Sequence, residues 1–211
     1  MKFIPILFST AMVQALQAGR KTQTRRVVKP QPIDNTEVDG NFFEGNYKGF
    51  VKVDGHPDWQ RLFAENHGPY KKGDVLWVRE TWAKFDTLAK AGIEQEFIYR
   101  SLGESIPGLK WKPSIFMPKA AARIFLKIKD IRVERLQAIS EADAIAEGVE
   151  KYHDTGFYKM YGGKRENDWV ANAYASYAYL WESINGPESW DVNPWVWVVE
   201  FEQIEKPEGF L

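Results

Sequence analysis

The chain has 211 residues, 44% of them hydrophobic and 27% charged, with a formal net charge of −1 and no cysteine. That composition predicts one ordinary globular domain over residues 1–211, and it excludes disulfides, thiol catalysis, iron–sulfur clusters and cysteine-type zinc sites. The longest uncharged apolar stretch, Phe3–Phe8, is far short of the ~20 residues a bilayer-crossing helix needs, and no export-signal pattern opens the chain. A cytoplasmic protein with no membrane partner is the expectation.

Lys2–Phe8 reads as a short buried strand, with Pro5 marking an edge or a bulge. Ser9 or Thr10 can cap a helix over Ala11–Ala18, with Met12, Val13 and Leu16 on one face and Gly19 ending it. Thr24–Val28 resumes an extended path that Lys29-Pro30 stops. Residues 31–72 are rich in Gly, Asn, Asp and Pro and predict a long excursion with one hairpin. Gly73-Asp74 turns into a strand at Val75–Glu80, and Gln95–Arg100 forms the second strand of a hairpin.

Arg123–Leu136 carries the strongest strand signal. Ile124, Leu126 and Ile128 alternate on one face, followed by Ile131, Val133 and Leu136 after a bulge at Lys129-Asp130. Ser140 opens a helix with Asp143 completing a capping box; Ala142, Ile145 and Ala146 are assigned to its inner face and Gly148 closes it. Trp169–Ile184 has helical spacing through Tyr174, Tyr177, Leu180, Trp181 and Ile184, and Pro194–Phe201 is the last strand. Loop insertions fall at about 31–72, 84–110 and 150–168. The fold class that results is mixed α/β, one compact barrel with flanking helices.

Charge is unevenly spread. Residues 1–30 hold six bases and no acid, residues 110–136 eight bases against Asp130 and Glu134, while seven acids crowd between Glu182 and Glu208. Such a chain can turn one positive face toward a phosphate, or can simply solvate its strands. The aromatic residues, 15% of the chain, read mainly as core, with a few able to stack on bases.

Most chemical motifs are missing. His56, His67 and His153 have no metal-ligand spacing, and Gly162-Gly163-Lys164-Arg165 lacks the rest of a phosphate loop and reads as a surface turn. No metal and no cofactor are expected. What remains is Gly19-Arg20-Lys21-Thr22-Gln23-Thr24-Arg25-Arg26. Neighbouring cations and partial burial lower a lysine pKa, and a neutral Lys21 could serve as base to one of the two threonine hydroxyls, Thr22 or Thr24. Arg20, Arg25 and Arg26 could grip a phosphate or carboxylate. A solvated cationic turn is the plain alternative.

The spacing Gly19-x-Lys21 with downstream Arg26 resembles the motif of the ASCH domain, a small barrel related to the PUA RNA-binding fold. Pro5–Ser9, Thr22–Pro32, Gly73–Trp82, Trp111–Pro118, Glu134–Val149 and Asn193–Phe201 are similar to the longer, phage- and prophage-associated members. Thr24, where many members have Glu, is similar to the acetylcytidine amidohydrolases of this fold. The resemblance implies Lys21, Thr24 and Glu147 as a catalytic set, with Glu141 or Glu80 as alternatives to Glu147. It further implies hydrolysis of an acylated nucleobase amide. Thr24 would attack, Lys21 would take its proton, and Glu147, as a carboxyl of raised pKa, would hold the base edge and help protonate the leaving nitrogen. Trp82 and Trp111 would sandwich the base, and Glu80, Ser114 and Arg123 would line the site. RNA, a nucleotide or a modified nucleoside is the implied partner. A non-catalytic RNA- or nucleotide-binding module, or a phage accessory factor that binds protein, are the other readings.

Overall fold

A computed structural model describes residues 1–29, 31, 59–84, 97–103, 108–153, 155–163 and 168–210. The hairpin expected before residue 59, His56 and the Lys164-Arg165 pair lie outside these residues. The fold is mixed α/β. Strands β1 (Phe3–Leu7), β2 (Gln23–Val27), β3 (Val75–Arg79), β6 (Phe125–Arg135) and β9 (Trp195–Ile204) form a five-stranded mixed sheet in the order β1-β3-β6-β9-β2. Two small ribbons accompany it, β4 (Trp82–Lys84) with β5 (Phe97–Tyr99), and β7 (Tyr158–Lys159) with β8 (Trp169–Val170). The helices are α1 (Thr10–Gln17), α2 (Trp59–His67), α3 (Glu141–Ala146) and α4 (Ala173–Asn185).

The chain clusters into two compact units, residues 1–22, 72–129 and 201–211 forming one and residues 23–71 and 130–200 the other. The division crosses β6 and β9 along their length.

In the first unit β1 and β3 run parallel, with Ile4 opposite Leu76, and β3 pairs antiparallel with β6, with Leu76 opposite Leu126. The parallel pair needs a crossover, and α1 begins it, capped by Ser9, whose hydroxyl accepts from the Met12 amide at 3.3 Å. Gly19, at φ 70°, takes the left-handed turn that ends the helix. One apolar cluster joins Val75, Trp77, Phe125 and Phe210, and another joins Trp82, Tyr99, Met117 and Ala121.

In the second unit β2 pairs antiparallel with β9, Gln23 opposite Glu200 and Val27 opposite Val196. Leu136, Ile139, Ala144, Tyr177, Trp181, Val196 and Val198 make up its core. α3 opens on the expected capping box between Ser140 and Asp143, and α4 on Asn172, whose side chain accepts from the Ala175 amide.

The parity of burial along β6 changes between Ile128 and Ile131, around the Lys129-Asp130 pair where the sequence predicts a bulge. Four expectations need correction. An α-helix, α2, stands at the end of the stretch read as loop; Phe63 stacks on Trp197 at 5.6 Å there. α4 begins four residues later than expected, because Trp169 and Val170 pair with β7 instead. Its Ile184 is exposed, and on α3 Ala142 and Ile145 are exposed as well. The inward face of α3 is Ala144 and Glu147, one turn apart, because the helix is oriented by charges that a count of apolar residues does not weigh.

Candidate functional site

β2 has an unusual pattern for an amphipathic strand. Gln23, Thr24 and Arg25 are buried in succession, and Lys21, two residues before the strand, is 3% exposed. Lysine is rarely buried this far unless paired. α1 stops at Gln17, so Lys21 and Thr24 lie on extended backbone, and the one-turn helical spacing that would have put them on one face does not apply. Lys21 belongs to the first compact unit; Thr24 and Glu147 belong to the second.

In the second unit the alternation of β2 sends Gln23 and Arg25 to one face and Thr24 to the other. Arg25 is the hub. Its side chain has no solvent exposure; Nη2 meets Glu134 Oε1 at 2.5 Å and Nη1 meets Glu147 Oε1 at 3.1 Å. Asp143 Oδ2 lies at 3.6 Å, and Arg25 also donates to Gln23 Oε1 at 3.0 Å. Gln23 in turn donates to Asp143 Oδ1 at 2.8 Å. Arg132 fastens the outer side, donating to Glu134 at 3.2 Å, to Asp143 at 3.1 Å and to Glu200. The ring of Tyr177 lies 5.9 Å from the Arg25 guanidinium.

Electrostatics follow from this crowding. Burial works against the charge on Arg25, but Glu147, Tyr177 and Glu134 outweigh it and raise its pKa further. Burial also tends to raise the Asp143 carboxyl, yet hydrogen bonds from Gln23 and Ser140 and the charges of Arg25 and Arg132 bring it below its usual value. Tyr177 is driven well above the ordinary phenol range, first by burial and then by Glu147.

The carboxylates expected at the site are thus each engaged. Glu147 is held by Arg25. Glu141 accepts from the backbone amides of Ala173 and Tyr174 at 2.6 and 2.9 Å, so it serves the N-terminus of α4. Glu80, 1% exposed in the first unit, receives Arg123 through Nε at 2.9 Å and Nη2 at 3.0 Å, and Ser101 at 2.5 Å. Arg123 lies over Tyr99 at 4.4 Å, and burial pushes the Tyr99 phenol up to about 12.

The remaining candidates stay within their own units. Trp82 is buried edge-on to Phe97 at 5.6 Å, whereas Trp111 is half-buried with Arg100 5.7 Å from its ring. Ser114 is half-buried at the start of a 3₁₀ turn (Ser114–Phe116), Arg20 is exposed, and Arg26 is half-buried on β2. Gln23, Arg132, Glu134 and Asp143 were missed as site residues. The signal for the first three was the pairing of polar residues two apart on strands, Gln23 with Arg25 and Arg132 with Glu134; Asp143 was read only as a capping residue. Compared with protein-family models, curated proteins and solved structures, the chain matches none.

Proposed function

We propose that the protein is an ASCH-type hydrolase with a PUA-like barrel, acting on the amide of an acylated nucleobase such as acetylcytidine. The observation that carries this reading is the burial of three polar side chains, Lys21 at 3%, Thr24 at 1% and Glu147 at 4% exposure. Burying such groups costs free energy that a binding or catalytic task can justify. The barrel part of the reading rests on the long strands β6 and β9, of 11 and 10 residues, which give enough length for a small sheet to curl.

In this reading Thr24 attacks the acyl carbon and Lys21 accepts its proton. Glu147 holds the edge of the base. β2 stands at one end of the strand order, with Thr24 on one of its faces and Arg25 on the other. The test is release of cytidine from acetylcytidine by the full chain beside Lys21→Ala, Thr24→Ala and Glu147→Ala. Loss of a general base costs ~100- to 10,000-fold, so the first two variants should collapse. Undiminished activity in them, or none in the parent across a panel of acylated nucleosides, rejects the reading.

A second reading, an RNA- or nucleotide-binding module without chemistry, is favoured by how charge divides. The first unit carries 15 Lys and Arg against 9 Asp and Glu, a net +6; the second carries 13 against 20, a net −7. Binding through the basic unit would weaken steeply with salt. Salt-independent binding, or none at low ionic strength, argues against it.

A further inference from the structure

We infer that copies of this chain associate head to tail, the basic, apolar turn at residues 113–118 of one copy docking on the acidic loop at residues 186–193 of another. Each surface lies wholly within one compact unit, and neither carries the hydrolytic residues proposed above. On the turn, Ile115 and Phe116 are adjacent and are 55% and 68% exposed. Lone apolar side chains at a surface are ordinary, whereas a fixed pair rimmed by charge has the make-up of an interface centre. The turn is fixed. Prolines stand at both ends, and Arg79 on β3 donates from Nε to the Met117 carbonyl at 3.1 Å and from Nη2 to the Ile115 carbonyl. Met117 is 1% exposed, and its Sδ accepts from the Glu80 amide at 3.2 Å. Lys110, Lys112 and Lys119 flank the pair in sequence and are exposed, and no acid stands between Gly108 and Arg123.

The loop is the counterpart in the second unit. Val192 is 72% exposed beside Asp191, and Ile184, at the end of α4, is 48% exposed. Glu188 and Asp191 are exposed, and no lysine or arginine occurs between Glu166 and Glu205. Three side chains hold the loop by its carbonyls: Trp181 at Ser189 (3.3 Å), Gln137 at Trp190 (3.0 Å) and Arg135 at Asn193 (3.2 Å). Glu188 at φ 63° and Asn193 at φ 44° keep left-handed conformations that such residues adopt only where their surroundings fix them. Two preformed surfaces lose little freedom when they meet. Charge then selects the occupant. The first unit is net +6 and the second net −7, so like surfaces of two copies repel and unlike surfaces attract. A two-fold pairing of the turns would set lysine against lysine. The head-to-tail pairing sets Lys110 and Lys112 against Glu188 and Asp191, with Phe116 against Val192. Such a contact is heterologous and leaves one surface of each kind open, so copies add into a chain or a ring. Contacts between two short loops fall at the small end of interface sizes, so the association is weak and sensitive to salt.

The test is sedimentation velocity on the nuclease-treated full chain from about 10 to 300 μM, a range that brackets weak affinities. Nuclease removes nucleic acid that could bridge two basic units. The expected result is a weight-average mass that rises about twofold with concentration at low salt and returns to that of one chain at about 0.5 M salt, where the screening length is about 4 Å. Lys110→Glu with Lys112→Glu gives a monomer, as does Glu188→Lys with Asp191→Lys. An equimolar mixture of these two variants associates again, because each restores the charge the other has lost. Phe116→Ser and Val192→Ser, at side chains mostly in water, also give monomers, and they replace any charge reversal that fails to keep the parental melting temperature. A parent that stays monomeric at every concentration, association that strengthens with salt, folded variants that associate as the parent does, or reversed partners that stay apart when mixed would each overturn the proposal.

Discussion

Replacing Arg25 with Met should destabilise the protein by about 3–5 kcal/mol, the usual cost of removing one partner from a buried ion pair. Methionine has similar length and fills the space, so the loss is electrostatic in origin. Three carboxylates face Arg25, with side-chain exposures of 14% for Glu134, 23% for Asp143 and 3% for Glu147. Arg132 remains to serve Glu134 and Asp143, so the ion pair lost at the most buried carboxylate is the one with Glu147. Adding Glu147→Gln to Arg25→Met should therefore recover part of the loss, with a coupling of about 1–3 kcal/mol. Urea unfolding followed by the fluorescence of the nine tryptophans reads both quantities. The pair Lys159–Glu150 supplies the contrast, for its side chains are 37% and 46% exposed, and Lys159→Ala should move stability by less than about 1 kcal/mol. A cost for Arg25→Met below about 1 kcal/mol, or strict additivity with Glu147→Gln, would refute the account of Arg25 as the hub of a buried charge network.

Two further outcomes follow from the same unit. Because the Asp143 carboxyl is lower in the folded state than the ordinary value of about 3.9, its contribution is present above that value and is lost as pH falls through the folded one; Asp143→Asn should flatten melting temperature against pH on the acid limb, and an unchanged slope counts against the assignment. Glu141→Ala removes the acceptor of two amides at the start of α4 and should cost about 0.5–2 kcal/mol, with faster amide exchange at Ala173 and Tyr174; unaltered exchange there would show that Asn172 alone suffices.

Much of the fold was legible because local rules sufficed for it. The change of phase from Leu126 and Ile128 to Ile131 and Val133 appears in the burial of β6, while the alternation expected at its start does not, because Ile124, Phe125 and Leu126 are buried in succession. The capping box of α3 and the Ser9 cap of α1 were readable for the same reason, each being complete within four residues. α2 was not readable, because the Gly, Asn and Asp of residues 31–58 dominated the composition around it. The inner face of α3 was misread on apolar count, for Ile145 is exposed while Glu147 is buried.

The site was far less legible, and Arg25 shows why. In sequence it sits among cations, with Arg20, Lys21 and Arg26 nearby and no acid before residue 31, which is the signature of a surface that meets an anion. The anions it meets are its own, 109 positions away at Glu134 and 122 away at Glu147. No short window around Arg25 contains both signs, so the charge run and the buried network are the same residues seen at two length scales. The bulk of a local charge excess says nothing about its destination until the partner strand is placed. β9 separates β6 from β2 in the sheet order, so it is the side-chain reach of Arg25 to Glu134 on β6 and to Glu147 after α3, and not strand pairing, that joins these charges. Lys21 makes the same point within its own unit: only 3% of its surface is in water, and its Nζ lies 5.6 Å from the centre of the Phe8 ring, so a residue that reads as a solvated cation in sequence is held by the fold.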